Sequence, residues 1–167
     1  PMMKKGKKAT RDLRNRISKL LDAEQRDLQS NQHHVEQVLI PADQVEMMLP
    51  CQIGDYTDFY SSEQHAFNVG CLFRDPENAL LPNWKHIPVG YHGRSSSIVP
   101  SGLDFHRPSG QKKPPTADVP VYGQSNLLDF ELETAFFTYE GKPLGDSIST
   151  EEADDYIFGM TLLNDWS

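Results

Sequence analysis

The sequence predicts a mainly β chain with some α structure, opened by an N-terminal helix. Three stretches carry that expectation. Leu127 to Thr138 alternates Asp129, Glu131 and Glu133 with Phe130, Leu132 and Thr134, the period of a strand. Ile157 to Leu163 is an apolar run that ends in Asn164-Asp165, which reads as a buried strand with a polar tip. Thr10 to about Asp27 sets Leu13, Ile17, Leu20 and Leu21 at i, i+4, i+7 and i+8, with Arg and Lys on the other faces. That is an amphipathic helix.

The other elements follow in chain order. His33 and His34 are adjacent, diverge on a helix, and read as solvent-facing rather than as ligands. Val35 to Ile40 is a short apolar segment, broken by Pro41-Ala42-Asp43. Val45 to Ile53, interrupted by Pro50, is expected to enter the first strand. A crowded polar turn follows at Gly54, Asp55, Thr57 and Asp58. Ser61 and Gln64 then have capping-box spacing. Ala66, Val69, Leu72 and Phe73 suit one face of the helix they open. Asp75 to Asn78 is a turn, and Gly90 and Gly93 around Tyr91-His92 mark a close backbone approach or a tight turn. Ser96 to Val99 suits a strand, whereas Arg107 to Tyr122, rich in Pro, Lys and Gly, reads as an irregular loop. Gly141 to Pro143 is a turn, and Thr150 is the expected N-cap of a short helix.

Composition narrows the function classes. A chain of 167 residues fits one domain with a modest core. Net charge is −8, unevenly spread. The first 27 residues hold nine Lys/Arg against four Asp/Glu, about +5, which leaves −13 for the rest. The basic start lacks the aromatic interleaving of a nucleic-acid arm and reads as a solvated tail. No apolar run approaches membrane-spanning length, and no signal peptide is visible. Cys51 and Cys71 lack metal spacing and suggest free thiols in a reducing compartment.

Two features carry chemistry. His65 falls in the first turn of its expected helix, where the dipole and free N–H groups disfavour a further positive charge. A neutral imidazole beside a carboxylate-bearing loop is a candidate general base. On the strand, Glu131 and Glu133 share a face, roughly 7 Å apart along it. Ala135-Phe136-Phe137 carries that strand into a core, and carboxylates at the edge of a core need a partner, of which a cation is one. Asp58, the Glu131 and Glu133 pair, and Asp165 come from separate elements and need no Cys or His to complete a set. Such hard oxygen donors select Ca²⁺ or Mg²⁺, or Mn²⁺, over zinc. Spacing alone does not bring them together.

Four blocks in order resemble the fumarylacetoacetase family, also called the fumarylacetoacetate hydrolase family. They are IGDYTDFYSSEQHA from Ile53, PNWKHIPVGYHGR from Pro82, LLDFELETAFF from Leu127 and IFGMTLLNDWS from Ile157. They span most of Leu49 to Ser167, while the first forty or so residues carry little signal. The resemblance implies a partial mixed β-roll from the family's catalytic domain. In that reading residues 1–44 are a helical linker segment. Residues 45–167 are then the incomplete N-terminal part of the catalytic domain. The family's small N-terminal β domain is read as absent and the chain as an internal fragment. The resemblance also implies the roles. Asp58, Glu131, Glu133 and Asp165 match the metal ligands, His65 the catalytic base, and Tyr60, Arg74 and Tyr91 the substrate contacts.

The implied reaction is metal-dependent hydrolysis of the carbon–carbon bond of 4-fumarylacetoacetate to fumarate and acetoacetate, in tyrosine and phenylalanine catabolism. The implied cofactor is Mg²⁺ and/or Ca²⁺, and the partner a small diketo acid, with no nucleic acid or membrane. The intact enzyme is expected to be a cytoplasmic homodimer. The carboxylate that orients the family's His and the groups that stabilise its oxyanion lie outside this sequence. The alternatives are a related acylpyruvate-type hydrolase, or a catalytically silent metal-binding polypeptide if the segment stands alone.

Overall fold

The computed structural model describes residues 2–167. It is mixed α/β with an N-terminal helix, in line with the sequence reading. In chain order its elements are α1 (Gly6–Leu21), α2 (Gln32–Val38), β1 (Thr57–Phe59), α3 (Glu63–Phe73), β2 (Gly90–His92), β3 (Ser109–Lys112), β4 (Val121–Gln124), β5 (Phe130–Thr138) and β6 (Ile157–Trp166). Short 3₁₀ turns lie between them. The strands pair as three antiparallel ribbons, β1–β2, β3–β4 and β5–β6. No helix among the described residues is long and apolar enough to cross a membrane.

The chain divides into two compact units. One holds the residues up to Val45 together with Phe105–Ser167, and the other holds Glu46–Asp104. In the first unit α1 starts earlier and stops sooner than the apolar period suggests. Its end has a local cause. Asp22 turns extended, with φ −63° and ψ 129°, and its carboxylate accepts from the Glu24 amide at 2.9 Å. Gln29 Nε2 then donates to the carbonyls of Leu20 at 3.2 Å and Asp22 at 3.0 Å, satisfying groups a helix end leaves open. The apolar stripe at Leu13, Ile17, Leu20 and Leu21 stays 39–50% exposed. Asn31 caps α2 through the His34 amide.

Polar contacts tie α1 to the turn before β6. Lys7 Nζ pairs with the Asp154 carboxylate, donates to the Asp154 carbonyl at 2.6 Å, and lies 3.3 Å from Asp155. Thr10 Oγ1 shares a hydrogen bond with the Tyr139 phenol. The lysine hydrogen bond holds the Asp154 carboxyl below its ordinary value, and the same bond holds Lys7 above its own. The aspartate's contribution is therefore present above the unfolded carboxyl pKa and lost as pH falls through the lowered one. The lysine's is lost only as pH rises through its raised value. Protection factors of the α1 amides, exchange rates taken against the intrinsic rate at each pH, should fall on acidification, and Lys7→Ala should remove that fall.

β5 and β6 form the longest ladder, from Phe130↔Trp166 to Thr138↔Ile157, with an irregularity at Phe137/Thr138. The polar tip expected after Leu163 stays in register, so Asn164 and Asp165 are ladder residues. Asp129 and Ser167 close the end by exchanging backbone bonds of 2.7 and 3.0 Å. The stretch read as an irregular loop contains β3 and the start of β4. Ser109-Gly-Gln-Lys112 carries no apolar alternation, so pattern could not reveal it. Glu152, rather than Thr150, occupies the N-cap position of the turn before β6. Its backbone N–H donates to Ser149 Oγ at 3.3 Å.

Residues 45–53, which lead into the second unit, form no strand; Pro50 lacks the amide a ladder needs. Ser95–Ser97 makes a 3₁₀ turn where a strand was expected. Ser97 Oγ accepts from Arg94 Nε at 3.2 Å, one of the local bonds by which serines compete with ladders. Helix α3 packs on the turn at Pro76–Asn78, and Ala66 and Ala79 are buried. A Cβ on Gly70 would lie 2.1 Å from the Ala79 carbonyl oxygen. Gly70→Ala should therefore destabilise the protein by about 1–3 kcal/mol, the usual cost of overpacking, read from a denaturant midpoint.

Candidate active site and metal centre

Strand β1 brings up the first group of site residues. Asp58 lies directly opposite Tyr91 on β2. Tyr56 is two residues before Asp58, so on extended chain it shares that face. Both phenols donate to the same oxygen, Asp58 Oδ2, Tyr56 at 3.0 Å and Tyr91 at 2.7 Å. The Gly93 amide donates to the Tyr56 carbonyl at 2.8 Å and extends the pairing past His92. Gly93 has a steric role too: a Cβ there would lie 2.1 Å from the Tyr56 ring. The glycines around Tyr91-His92 thus mark a close approach, one of the two readings the sequence left open.

His65 lies in the first turn of α3, as expected. The cap is Ser62 rather than Ser61. Ser62 Oγ accepts from the His65 amide at 3.3 Å, and Ser62 O accepts the first helical bond from Ala66 at 2.9 Å. Ser62 and His65 have the same three-residue offset as Ser61 and Gln64, so spacing alone did not separate the two serines. The half-buried imidazole meets the Tyr60 ring edge-on, with centroids 5.0 Å apart. Tyr60 is held by its backbone: its amide donates to Val89 O at 2.7 Å, and Trp84 Nε1 donates to its carbonyl at 2.7 Å.

A cavity of about 210 Å³ opens beside Tyr60, lined with Ala66, Arg74, Leu81, Trp84 and Val89 among others. Its wall is mostly apolar, with the Arg74 guanidinium as the cation. Arg74 Nε donates to Asn78 O at 3.1 Å and one Nη donates to Ala79 O at 2.9 Å. Those bonds brace the turn after α3. They use two of the five N–H donors of a guanidinium.

The ladder β5–β6 presents the other carboxylates. Glu131 lies directly opposite Asp165, and Glu133 follows two residues along β5 on the same face. Directly opposed like charges destabilise a ladder. Three acidic side chains on one half-buried face offer only oxygen donors, the chemistry of a hard divalent cation. Phe130, Leu132, Phe136, Met160 and Leu162 occupy the opposite face and are exposed.

The structure thus brings Asp58 to Tyr91, Tyr60 to His65, and Glu131 and Glu133 to Asp165, and it sets Arg74 at the cavity. Two residues went unnoticed in the sequence. Tyr56 could have been found from its i−2 offset to Asp58. Trp84 is 24 residues from the carbonyl it holds, and no local signal leads to it.

All of these positions lie in a stretch that matches a known family. Residues 55–167 match the family model described as fumarylacetoacetate (FAA) hydrolase, C-terminal. Residues 1–50 match the model described as fumarylacetoacetase, N-terminal. The second match corrects the expectation that nothing of the family's N-terminal domain is present. The chain is 55% identical to a fumarylacetoacetase of Caenorhabditis elegans over 159 residues, 93% of this chain and 38% of that protein. It is 51% identical to one of Homo sapiens over 162 residues, 97% of this chain and 39% of that protein. It is 50% identical to one of Dictyostelium discoideum over 167 residues, 99% of this chain and 39% of that protein. The chain thus spans 38–39% of the length of these curated relatives. With its two matched regions together covering nearly every residue, it belongs to the fumarylacetoacetate hydrolase family.

Proposed function

We propose that this segment supplies the base and the cation-binding carboxylates of a hydrolase that cleaves the carbon–carbon bond of 4-fumarylacetoacetate. The products are fumarate and acetoacetate. The observation that carries the reading is the face of β5–β6, where Glu131 opposes Asp165 and Glu133 adjoins them. Residues 45–167 are the part of the catalytic domain concerned, and residues 1–44 are a helical segment leading into it. The intact enzyme is a cytoplasmic homodimer acting on a small diketo acid. The free thiols of Cys51 and Cys71 are compatible with a reducing compartment.

Asp58 joins Glu131, Glu133 and Asp165 as the cation's ligands, and all-oxygen donors fit Mg²⁺ or Ca²⁺. When bound, a divalent cation supplies Lewis acidity to a 1,3-diketone and its departing enolate. His65 takes a proton from the attacking water, and the Tyr60 ring edge limits how the imidazole can turn. The Tyr60 and Tyr91 phenols donate to substrate oxygens without adding charge. Arg74 offers its remaining N–H groups to a substrate carboxylate at the rim of the cavity.

In a full-length enzyme carrying this segment, fumarate release from 4-fumarylacetoacetate should stop on exhaustive chelation and return with Mg²⁺ or Ca²⁺. Full turnover with no metal detected by elemental analysis would overturn the reading. Faster cleavage of acylpyruvates in a substrate panel would favour the broader relative instead. Arg74→Lys should raise KM, because a point charge cannot replace the fork. Unchanged kinetics would leave Arg74 its bracing bonds alone.

A second reading concerns the 167-residue chain by itself, which we propose is catalytically silent. Leu132 and Leu162 are each 71% exposed on the outer face of β5–β6, opposite the carboxylates. A ladder so uncovered on its apolar side is poorly fixed, and ligand geometry needs rigid support. Turnover by the isolated chain would refute this.

A further inference from the structure

Tyr56 has no part in the reaction as proposed so far, yet its phenol donates to the Asp58 carboxylate, as that of Tyr91 does. Its phenol and that of Tyr91 donate to one oxygen, Oδ2, from two directions: Tyr56 from the residue just before β1 and Tyr91 from across the ladder. A carboxylate turns freely about its last torsion unless its oxygens are held. The two phenols assign Oδ2 to the protein and leave Oδ1 to meet a cation. They differ in how firmly they are set. Tyr91 is 50% exposed, whereas Tyr56 is half-buried, with its carbonyl bonded to the Gly93 amide. Its ring lies where any side chain at position 93 would stand.

We infer that Tyr56 is a positioning residue for the cation site. It holds Asp58 Oδ2 by a hydrogen bond that persists when Tyr91 turns to donate to the substrate. This rests on the reading of Asp58 as a ligand. Tyr91 can then serve the substrate without releasing the carboxylate, because the second donor remains. Gly93 belongs to the same arrangement, since its missing side chain gives the Tyr56 ring its place over β2. Hydrogen-bond partners of a metal-ligating group typically change metal affinity 10–100-fold when removed.

The test is calorimetric titration of Ca²⁺ into metal-free, full-length enzyme carrying this segment, with the variants Asp58→Asn, Tyr56→Phe and Tyr91→Phe. Phenylalanine keeps the ring against Gly93 and removes only the donor, so metal-free Tyr56→Phe should stay folded, with a melting temperature lowered by no more than the loss of one hydrogen bond. Its Ca²⁺ dissociation constant should rise about tenfold or more. Tyr91→Phe should appear mainly in KM. Parent-like Ca²⁺ binding by Tyr56→Phe, alongside weakened binding by Asp58→Asn, would overturn the inference and leave the ligand reading standing. Parent-like binding by Asp58→Asn would overturn the ligand reading, and the inference with it. A metal-free Tyr56→Phe that fails to fold, a loss far beyond one hydrogen bond, would show a packing role and overturn the inference as well.

Discussion

His65→Gln in a full-length enzyme carrying this segment should lower kcat by about 10²–10⁴-fold, the usual share of general acid–base catalysis. Glutamine keeps approximate size and a polar tip but cannot accept the proton from water. The backbone around it should not change, because Ser62 caps α3 through the residue-65 amide and not through the ring. Nor should the binding step change much, since the ligands proposed for the cation are carboxylates. The loss should therefore fall in kcat with KM near the parent value. Added Mg²⁺ or Ca²⁺ should not restore it. A kcat within a few-fold of the parent would remove His65 from the role of base.

Replacing a carboxylate should act in the reverse order. Glu131→Gln and Asp165→Asn each take one charge from a directly opposed pair. Cation affinity should fall on the order of tenfold or more, because ligand charge sets how tightly such sites bind. Activity should follow affinity, and excess cation should partly rescue both variants. Calorimetric titration of Ca²⁺ into the metal-free variants reads the affinity directly. Binding at the parent's affinity would remove Glu131 and Asp165 from the ligand set.

The sequence was legible where a period or a cap was local. The alternation through Phe130, Glu131, Leu132 and Glu133 is the ladder observed, and it puts both glutamates on one face. Asp165 opposite Glu131 depends on register between strands far apart in sequence, which alternation within one strand cannot give. Family resemblance, not spacing, grouped those carboxylates. The start of α3 was off by one residue because two adjacent serines offer the same offset. The β3–β4 ribbon escaped notice because backbone pairing, not side-chain pattern, holds Ser109–Lys112. The bonds of Arg74 to Asn78 and Ala79 were invisible for a different reason: an arginine in a matched block says nothing of how many of its donors serve the fold.

We propose that proton acceptance and cation binding belong to different residues of this segment. Bound metal per chain, measured by elemental analysis of purified His65→Gln enzyme, tests it most directly. The account predicts the parent's metal content in a protein that has lost most of its turnover. A His65→Gln enzyme stripped of metal would contradict it.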